Sequence, residues 1–468
     1  MKIDMQDMQK LKNIAVSHAG TDWCAQGAST DTRKPLQDML FFAIKGERFD
    51  GHTFAADAVR QGAAGVVLNK SLEHLAGGFS GKTAVFSVPD TVQSLGALAH
   101  ALRERYKPAV ITVTGSNGKT TTKEMLYTLL SESFRCGKTQ GNLNNLIGLP
   151  LSILNMEQDT QVWVLELGTS RYGELASLAG IASPDIGVLT NIGRAHLEFF
   201  KDLQGVARAK SEMFSAMTQQ GTAVMNADDP FVMEIANRFK GRVITAGFSG
   251  HAQLRILSYN LTDKGMDFRI LYEGEERSFS TPVSGRHYLY DMALSMLCAR
   301  HLQVGWDAIR SACERFTVFK GRGNSTFYKN NITVVDDTYN ANPDSMQGGF
   351  QSAIERYGAE RIVAVIGDML ELGEQTAQQH FDLGLYLAGQ GINKFILMGR
   401  FSDNTFEGIR SSGKKQIYAF QAGDIQSAVR ELVSLSKDGA VIYIKGSRSM
   451  KLEQVLSGYD SIMRSKDA

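Results

Sequence analysis

The chain has 468 residues, too many for a single hydrophobic core, and its 43% hydrophobic and 21% charged residues with 8 prolines exclude a disordered or collagen-like polymer. With 50 basic against 49 acidic residues the formal net charge is +1, so no global field draws it to nucleic acid or an anionic membrane. Cys24, Cys136, Cys298 and Cys313 are far apart and form no CxxC pair, which argues against a zinc site and a disulfide framework.

The first residues, "MKIDMQDMQKLKN", carry acids where a signal peptide would be basic and then apolar, and no run reaches the roughly 18 apolar residues of a membrane span. A cytoplasmic protein without a membrane span is expected. Up to residue 107 the pattern is one α/β unit, with "DMLFFAI" and "AAGVVLN" as strands and "HTFAADAVRQG" as a helix. "RYKP" is the expected hinge. From Ala109 short β-branched runs alternate with helical stretches: "AVITVTG", "TTKEMLYTLLSESF", "QVWVLELG", "DIGVLTNIG". This is the βαβ rhythm of a parallel sheet covered on both faces. Between about Gly250 and Ser280, "QLRILSYNL" and "MDFRILYE" alternate polar and apolar residues, as an appended β-meander would. A second α/β set follows in "NITVVDD", "RIVAVIGDM", "KFILMG" and "AVIYIKGS". The expected division is 1–107, 108–317 and 318–468, all α/β.

"VTGSNGKTTTKEM", from Val113, places glycines and a lysine between a buried strand and a helix. Backbone amides at a helix N-terminus hold anions, and glycine lets a phosphate approach. Gly115, Ser116, Asn117, Gly118 and Thr121 would then line ATP, Lys119 would reach its β/γ-phosphates, and the Thr120 hydroxyl would meet Mg²⁺. The spacing departs from GxxxxGK[ST], because Val113 stands where the first glycine is usual. Further polar residues close strands of the same unit, where doubly wound sheets keep their chemistry. Glu166 ends "VWVLELG" and suits a hard cation, although a helix cap is the simpler reading. His196 in "TNIGRAHLEFF" could complete a second metal site; Lys210 in "ARAKSEMF" is either a solvated helix lysine or a functional one.

"TGSNGKT", "ELG" followed by "GE", "TNIGRAHLE" and "AKSEMF" together resemble the Mur ligase family of ATP-dependent, amide-forming enzymes, in which the short glycine spacing is usual. The resemblance covers nearly the whole chain and implies three domains: one for a UDP-sugar, a central ATPase-type domain and a Rossmann-like C-terminal domain. It implies catalytic roles for Lys119, Glu166, His196 and Lys210, with Thr120, Glu166, His196 and a carbamylated Lys210 holding two Mg²⁺ ions. Arg322 and Asp337 match positions that reach nucleotide phosphate and ribose, and Asp31, Thr32 and Arg33 match UDP-sugar contacts. "GNLNNLIGLP", "DDTYNANPDSM", "GDMLELGE" and "KGSRSMKLE" resemble the branch that joins D-alanyl-D-alanine to UDP-MurNAc-tripeptide; sister enzymes differ at "DDTYNANP", and no Asp-Asn-Pro-Arg signature is present. Asp291 departs from the family, which usually has asparagine there to pair with adenine. An ionised aspartate accepts from N6 but cannot donate to N7, so weaker base selectivity is expected. A monomer is expected, because no long apolar stripe stands out. A ligase for another amino acid, a folylpolyglutamate synthase or a non-ligating P-loop switch remain open as alternatives.

Overall fold

Three sheets organise the chain in the computed structural model, which describes residues 1–17, 19–72, 79 and 83–467. The first has five strands in the order 15–17, 84–88, 65–69, 40–42 and 28–29, parallel except at the 15–17 edge. Its middle strands are buried on both faces, as runs such as "GVVLN" require. A capped helix, Thr91–Tyr106, leads from it; Asp90 accepts from the amides of Val92 and Gln93. The helix stops at Lys107, which is left-handed, and at Pro108, which cannot continue it.

The central sheet begins immediately afterwards. Its nine strands run 275–281, 265–272, 254–262, 242–247, 222–226, 186–189, 109–114, 162–166 and 136–138. The meander forms its antiparallel edge, with 265–272 between 254–262 and 275–281, as the alternation predicts. Strand Ala109–Thr114 lies between Val162–Glu166 and Ile186–Leu189, and the chain leaves it in both directions. Such a switch point opens a crevice at the strands' carboxyl ends. Register sets Glu166 beside Val113 and Leu189 beside Thr114, so the loops that follow all three strands emerge at one level.

The last sheet orders its strands 324–327, 333–337, 441–445, 362–366, 394–398 and 418–422, parallel except for the first. Helix Pro343–Tyr357 covers it and starts from Asn342, whose side chain accepts from the Ser345 amide. Among the described residues no helix is long and apolar enough to cross a membrane.

Candidate functional site

The "TGSNGKT" loop joins strand Ala109–Thr114 to helix Lys119–Leu130. Two glycines are required by geometry. Gly115 has φ +151°, and a Cβ there would sit 1.9 Å from Thr190 Oγ1; Gly118 has φ +80°, with a Cβ 2.3 Å from Asp291 Oδ1. The amides of Ser116 and Asn117 do not face an anion, because they donate to the backbone and side-chain oxygens of Asn191 at 3.0 and 2.9 Å. That ties the loop to the segment after the next strand. The first helical bond runs from Thr122 N to Gly118 O at 2.8 Å, so the amides just before it form the anion-facing helix end.

Lys119 folds back over the loop and donates to the Gly115 and Ser116 carbonyls at 2.8 and 3.2 Å. Burial lowers its pKa, and Glu166 opposes the shift. Thr120 donates its hydroxyl to Glu166 Oε2 at 2.9 Å, while Asn144 donates to Oε1 at 2.8 Å. Lys123, fully buried, stands 3.8 Å from Oε2 and holds the Thr139 and Gly141 carbonyls. Lys210, on helix Leu203–Ser215, is also fully buried, yet its Nζ has no hydrogen-bond partner among the described residues. Burial drives its pKa well below the usual lysine value, Lys119 pushes the same way, and Glu212, Glu166 and Glu174 oppose. The solvated-lysine reading of Lys210 therefore fails.

His196 caps the short helix Leu197–Phe200 with φ +55°. Its Nδ1 lies 2.6 Å from Oε2 of Glu371, an ion-pair separation whose angle is off the line of a hydrogen bond. Glu371 belongs to the loop after strand 362–366, and the histidine holds its carboxyl below the usual range. Glu371 is also near enough to Lys119 to feel its charge. Lys119, Glu166, Lys210, His196 and Glu371 thus form one electrostatic neighbourhood from two domains.

Asn117, Gly118, Thr121, Asp291, Arg322 and Asp337 line one cavity of about 480 Å³ beside that neighbourhood. A larger cavity of about 900 Å³, on the outer side of helix Leu203–Ser215, contains none of the predicted residues. Asp337 Oδ2 accepts from the Tyr443 hydroxyl and from Lys445 Nζ, both at 2.7 Å. Arg322 lays its guanidinium 4.1 Å from the centre of the Tyr339 ring, and Tyr288 donates to its carbonyl. Asp291 corrects the expectation of an ionised carboxylate. It is 4% exposed, accepts from the Thr122 hydroxyl at 3.1 Å, and burial pushes its pKa up to about 8 against the lowering effects of Thr122 and Arg322. At neutral pH it is mostly the acid, which both donates and accepts as asparagine does.

Asp31, Thr32 and Arg33 lie apart from this cluster, on a turn of the first domain. Arg33 clamps both oxygens of Asp31 at 2.8 and 2.9 Å, and Gln61 donates to the Thr32 carbonyl. The sequence reading assigned no role to Lys123, Asn144, Arg194, Asp344, Glu371 or Lys445. Each stands inside a motif quoted above, but which atoms they touch depends on long-range packing.

Among the described residues no trio of His, Cys, Asp or Glu stands ready to hold a metal. The donor set still fits Mg²⁺, a hard ion that takes one or two protein oxygens and completes its shell with phosphates and water. Thr120 and Glu166 supply such oxygens, and the buried Lys210 Nζ has no hydrogen-bond partner among the described residues.

The Mur ligase middle domain profile matches residues 113–299, and the Mur ligase, glutamate ligase domain profile matches 315–448. The UDP-N-acetylmuramoyl-tripeptide–D-alanyl-D-alanine ligase of Bacillus subtilis is 32% identical, over 95% of this chain and 97% of that one. A MurF crystal structure from Acinetobacter baumannii superposes with a TM-score of 0.88 at 29% identity, covering 98% of this chain and 99% of that one. MurF ligase from Thermotoga maritima in complex with ADP gives 0.83 at 29% identity, covering 94% and 99%. With that phosphate loop, its carboxylate and its buried lysine placed as they are, and relatives matched end to end, the chain belongs to the Mur ligase family.

Proposed function

We propose that this protein is the ATP-dependent ligase that adds D-alanyl-D-alanine to UDP-MurNAc-tripeptide. The observation that carries the reading is the convergence of the glycine loop, Lys119, Glu166 and the unpartnered Lys210 at the central switch point, in a chain matched over 95% of its length by a ligase of that name. The helix-end amides and Lys119 bind the β/γ-phosphates and neutralise charge, which is most of what phosphoryl transfer needs. A carboxylate oxygen of the tripeptide attacks the γ-phosphorus and ADP leaves, giving an acyl phosphate. The dipeptide amine, having lost a proton, then attacks the acyl carbon, and inorganic phosphate departs with the C–O bond electrons.

Thr120, Glu166, His196 and Lys210 would hold magnesium, with Lys210 as a carbamate. Carbon dioxide reacts with a neutral amine, and burial, which drives the Lys210 pKa well below the usual lysine value, favours that form. Magnesium, when bound, offsets the negative charge of the transferred phosphoryl group. Arg322 and Asp337 would face the nucleotide from the C-terminal side and Asp291 from the central side of the cavity that all three line. Contributions from both sides of the cavity allow closure to exclude water that would destroy the acyl phosphate. We assign residues 1–107 to the UDP-sugar through Asp31, Thr32 and Arg33, 108–317 to ATP as the central ligase domain, and 318–468 to a Rossmann-like ligase domain that completes the nucleotide site. Use of ATP fits the cytoplasm, and a monomer suffices because the site lies within one chain.

The test is phosphate release from ATP with UDP-MurNAc-tripeptide, with and without D-alanyl-D-alanine, followed by mass analysis of the product. Dipeptide-dependent release with a pentapeptide product is expected. Release indifferent to the dipeptide would leave a P-loop switch instead, and incorporation of a single amino acid would indicate a sister ligase.

A further inference from the structure

Loop 367–375 leaves strand Ile362–Ile366 and crosses to the central domain. Within its own domain it is pinned, because the Met369 amide donates to His380 Nε2 and the Leu370 amide to Ser447 Oγ, each at 2.9 Å. Beyond that anchor it docks on segment 196–201. The Glu198 amide donates to the Glu371 carbonyl at 3.0 Å, and Gln375 Nε2 donates to the Lys201 carbonyl at 3.2 Å. Gly373, at φ +59°, lets the chains approach so closely that a Cβ would stand 3.0 Å from Glu198 Cα.

Three non-glycine residues at this seam are held left-handed, His196 at φ +55°, Lys201 at φ +71° and Glu371 at φ +64°, and the side chains of His196 and Glu371 meet at 2.6 Å. Such backbone strain persists where surrounding structure enforces it, and it clusters at functional sites. We propose that Glu371 is a positioning residue for His196: its carboxylate, 2.6 Å from Nδ1, sets the imidazole's orientation from the opposite domain, so that Nε2 is presented to the metal only when the two domains are together. A carboxylate beside Nδ1 holds the ring from the side opposite Nε2, the side from which second-sphere carboxylates orient metal-bound histidines. This rests on the ligase reading insofar as His196 is taken to face magnesium.

The test uses the full-length protein with ADP, titrated with Mn²⁺ and followed by the electron paramagnetic resonance of free Mn²⁺ against an ADP-only blank. Glu371→Ala should weaken Mn²⁺ binding by about 10-fold or more, the size expected for a lost second-sphere partner. Glu371→Gln, which keeps an acceptor oxygen, should lose less, and Gln375→Ala, which removes only a neighbouring seam bond, should match wild type. The Glu371 side chain is 51% exposed, so its loss removes little packing. Binding by Glu371→Ala within about twofold of wild type overturns the proposal, as does an equal loss in Gln375→Ala, which would make the seam as a whole responsible. Dipeptide-independent phosphate release by the wild-type enzyme would sink the ligase reading alone and leave the Mn²⁺ comparison to decide this one.

Discussion

Asp291 shows how far a residue's identity differs from its state. Its place beside the phosphate loop was legible from the departure at "HYLYD", but its charge was not, because burial by Gly118, Thr122 and the rest of helix Arg286–His301 is a tertiary property. With a folded pKa of about 8, raised above the unfolded value of about 3.9, the carboxyl contributes stability that is fully present below pH 4 and lost as pH rises through 8. Its donor is lost over the upper end of the same window. The Michaelis constant for ATP in the wild-type enzyme should therefore rise between about pH 7 and 9, whereas Asp291→Asn, which cannot ionise, should lack that rise. Steady-state kinetics of both proteins across this range isolate the group, since other titrations are common to the two. Coincident profiles would mean that Asp291 does not read the base. Lys210 teaches the same lesson from the other side: the sequence allowed a solvated lysine, and only the fold reveals a fully buried amine with no hydrogen-bond partner among the described residues.

At the scale of elements, buried parallel strands were readable because each is a short apolar run closed by glycine or a carboxylate, and the meander because it alternates. Strands 28–29 and 24–26 were not, since two or three residues carry no period. Strand Tyr418–Ala422 is a half-exposed edge, pairing on one side only, and its sequence lacks the apolar run that marks its neighbours. Strand Ala84–Val88, five buried residues, carries the same signal as its parallel neighbours. The phosphate loop shows what an element adds to a motif. Gly118 is needed twice, for a left-handed backbone and for the space taken by Asp291. Gly118→Ala should destabilise the fold by about 1–3 kcal/mol and weaken ADP binding as the loop shifts. Urea unfolding and calorimetric ADP titration measure the two effects. An alanine variant as stable and as tight-binding as wild type would show that the loop can be built without this bend.

Across the whole molecule, the site is completed by contacts that no local pattern encodes. Asn342, at the start of a C-terminal helix, donates to Asn117 Oδ1 in the phosphate loop at 2.8 Å, across 225 residues of sequence. Across 150 residues, Asp344 accepts from both the backbone amide and the guanidinium of Arg194, which also reaches Gln347 and Gln379. Both partners lie inside motifs that were visible in the sequence, yet only the packing of two sheets brings them together. Side chains about one-third exposed, at 28% and 34%, make this a partly screened pair, so its value lies in geometry more than in raw Coulomb energy. A carboxylate that takes two guanidinium N–H donors on one oxygen and a backbone amide on the other suits a latch between domains, because it forms at one orientation only. Arg194→Ala and Asp344→Ala should each lower kcat several-fold while leaving thermal unfolding of the individual domains near wild type. If the two residues act as one latch, the double variant should be little worse than either single one, with a coupling energy in the range of about 0.5–3 kcal/mol. Small-angle scattering with a bound ATP analogue supplies the independent readout: the variants should stay more extended than wild type. Additive losses in kcat together with unchanged scattering would mean that the pair holds local structure and that closure is driven by other contacts across the seam.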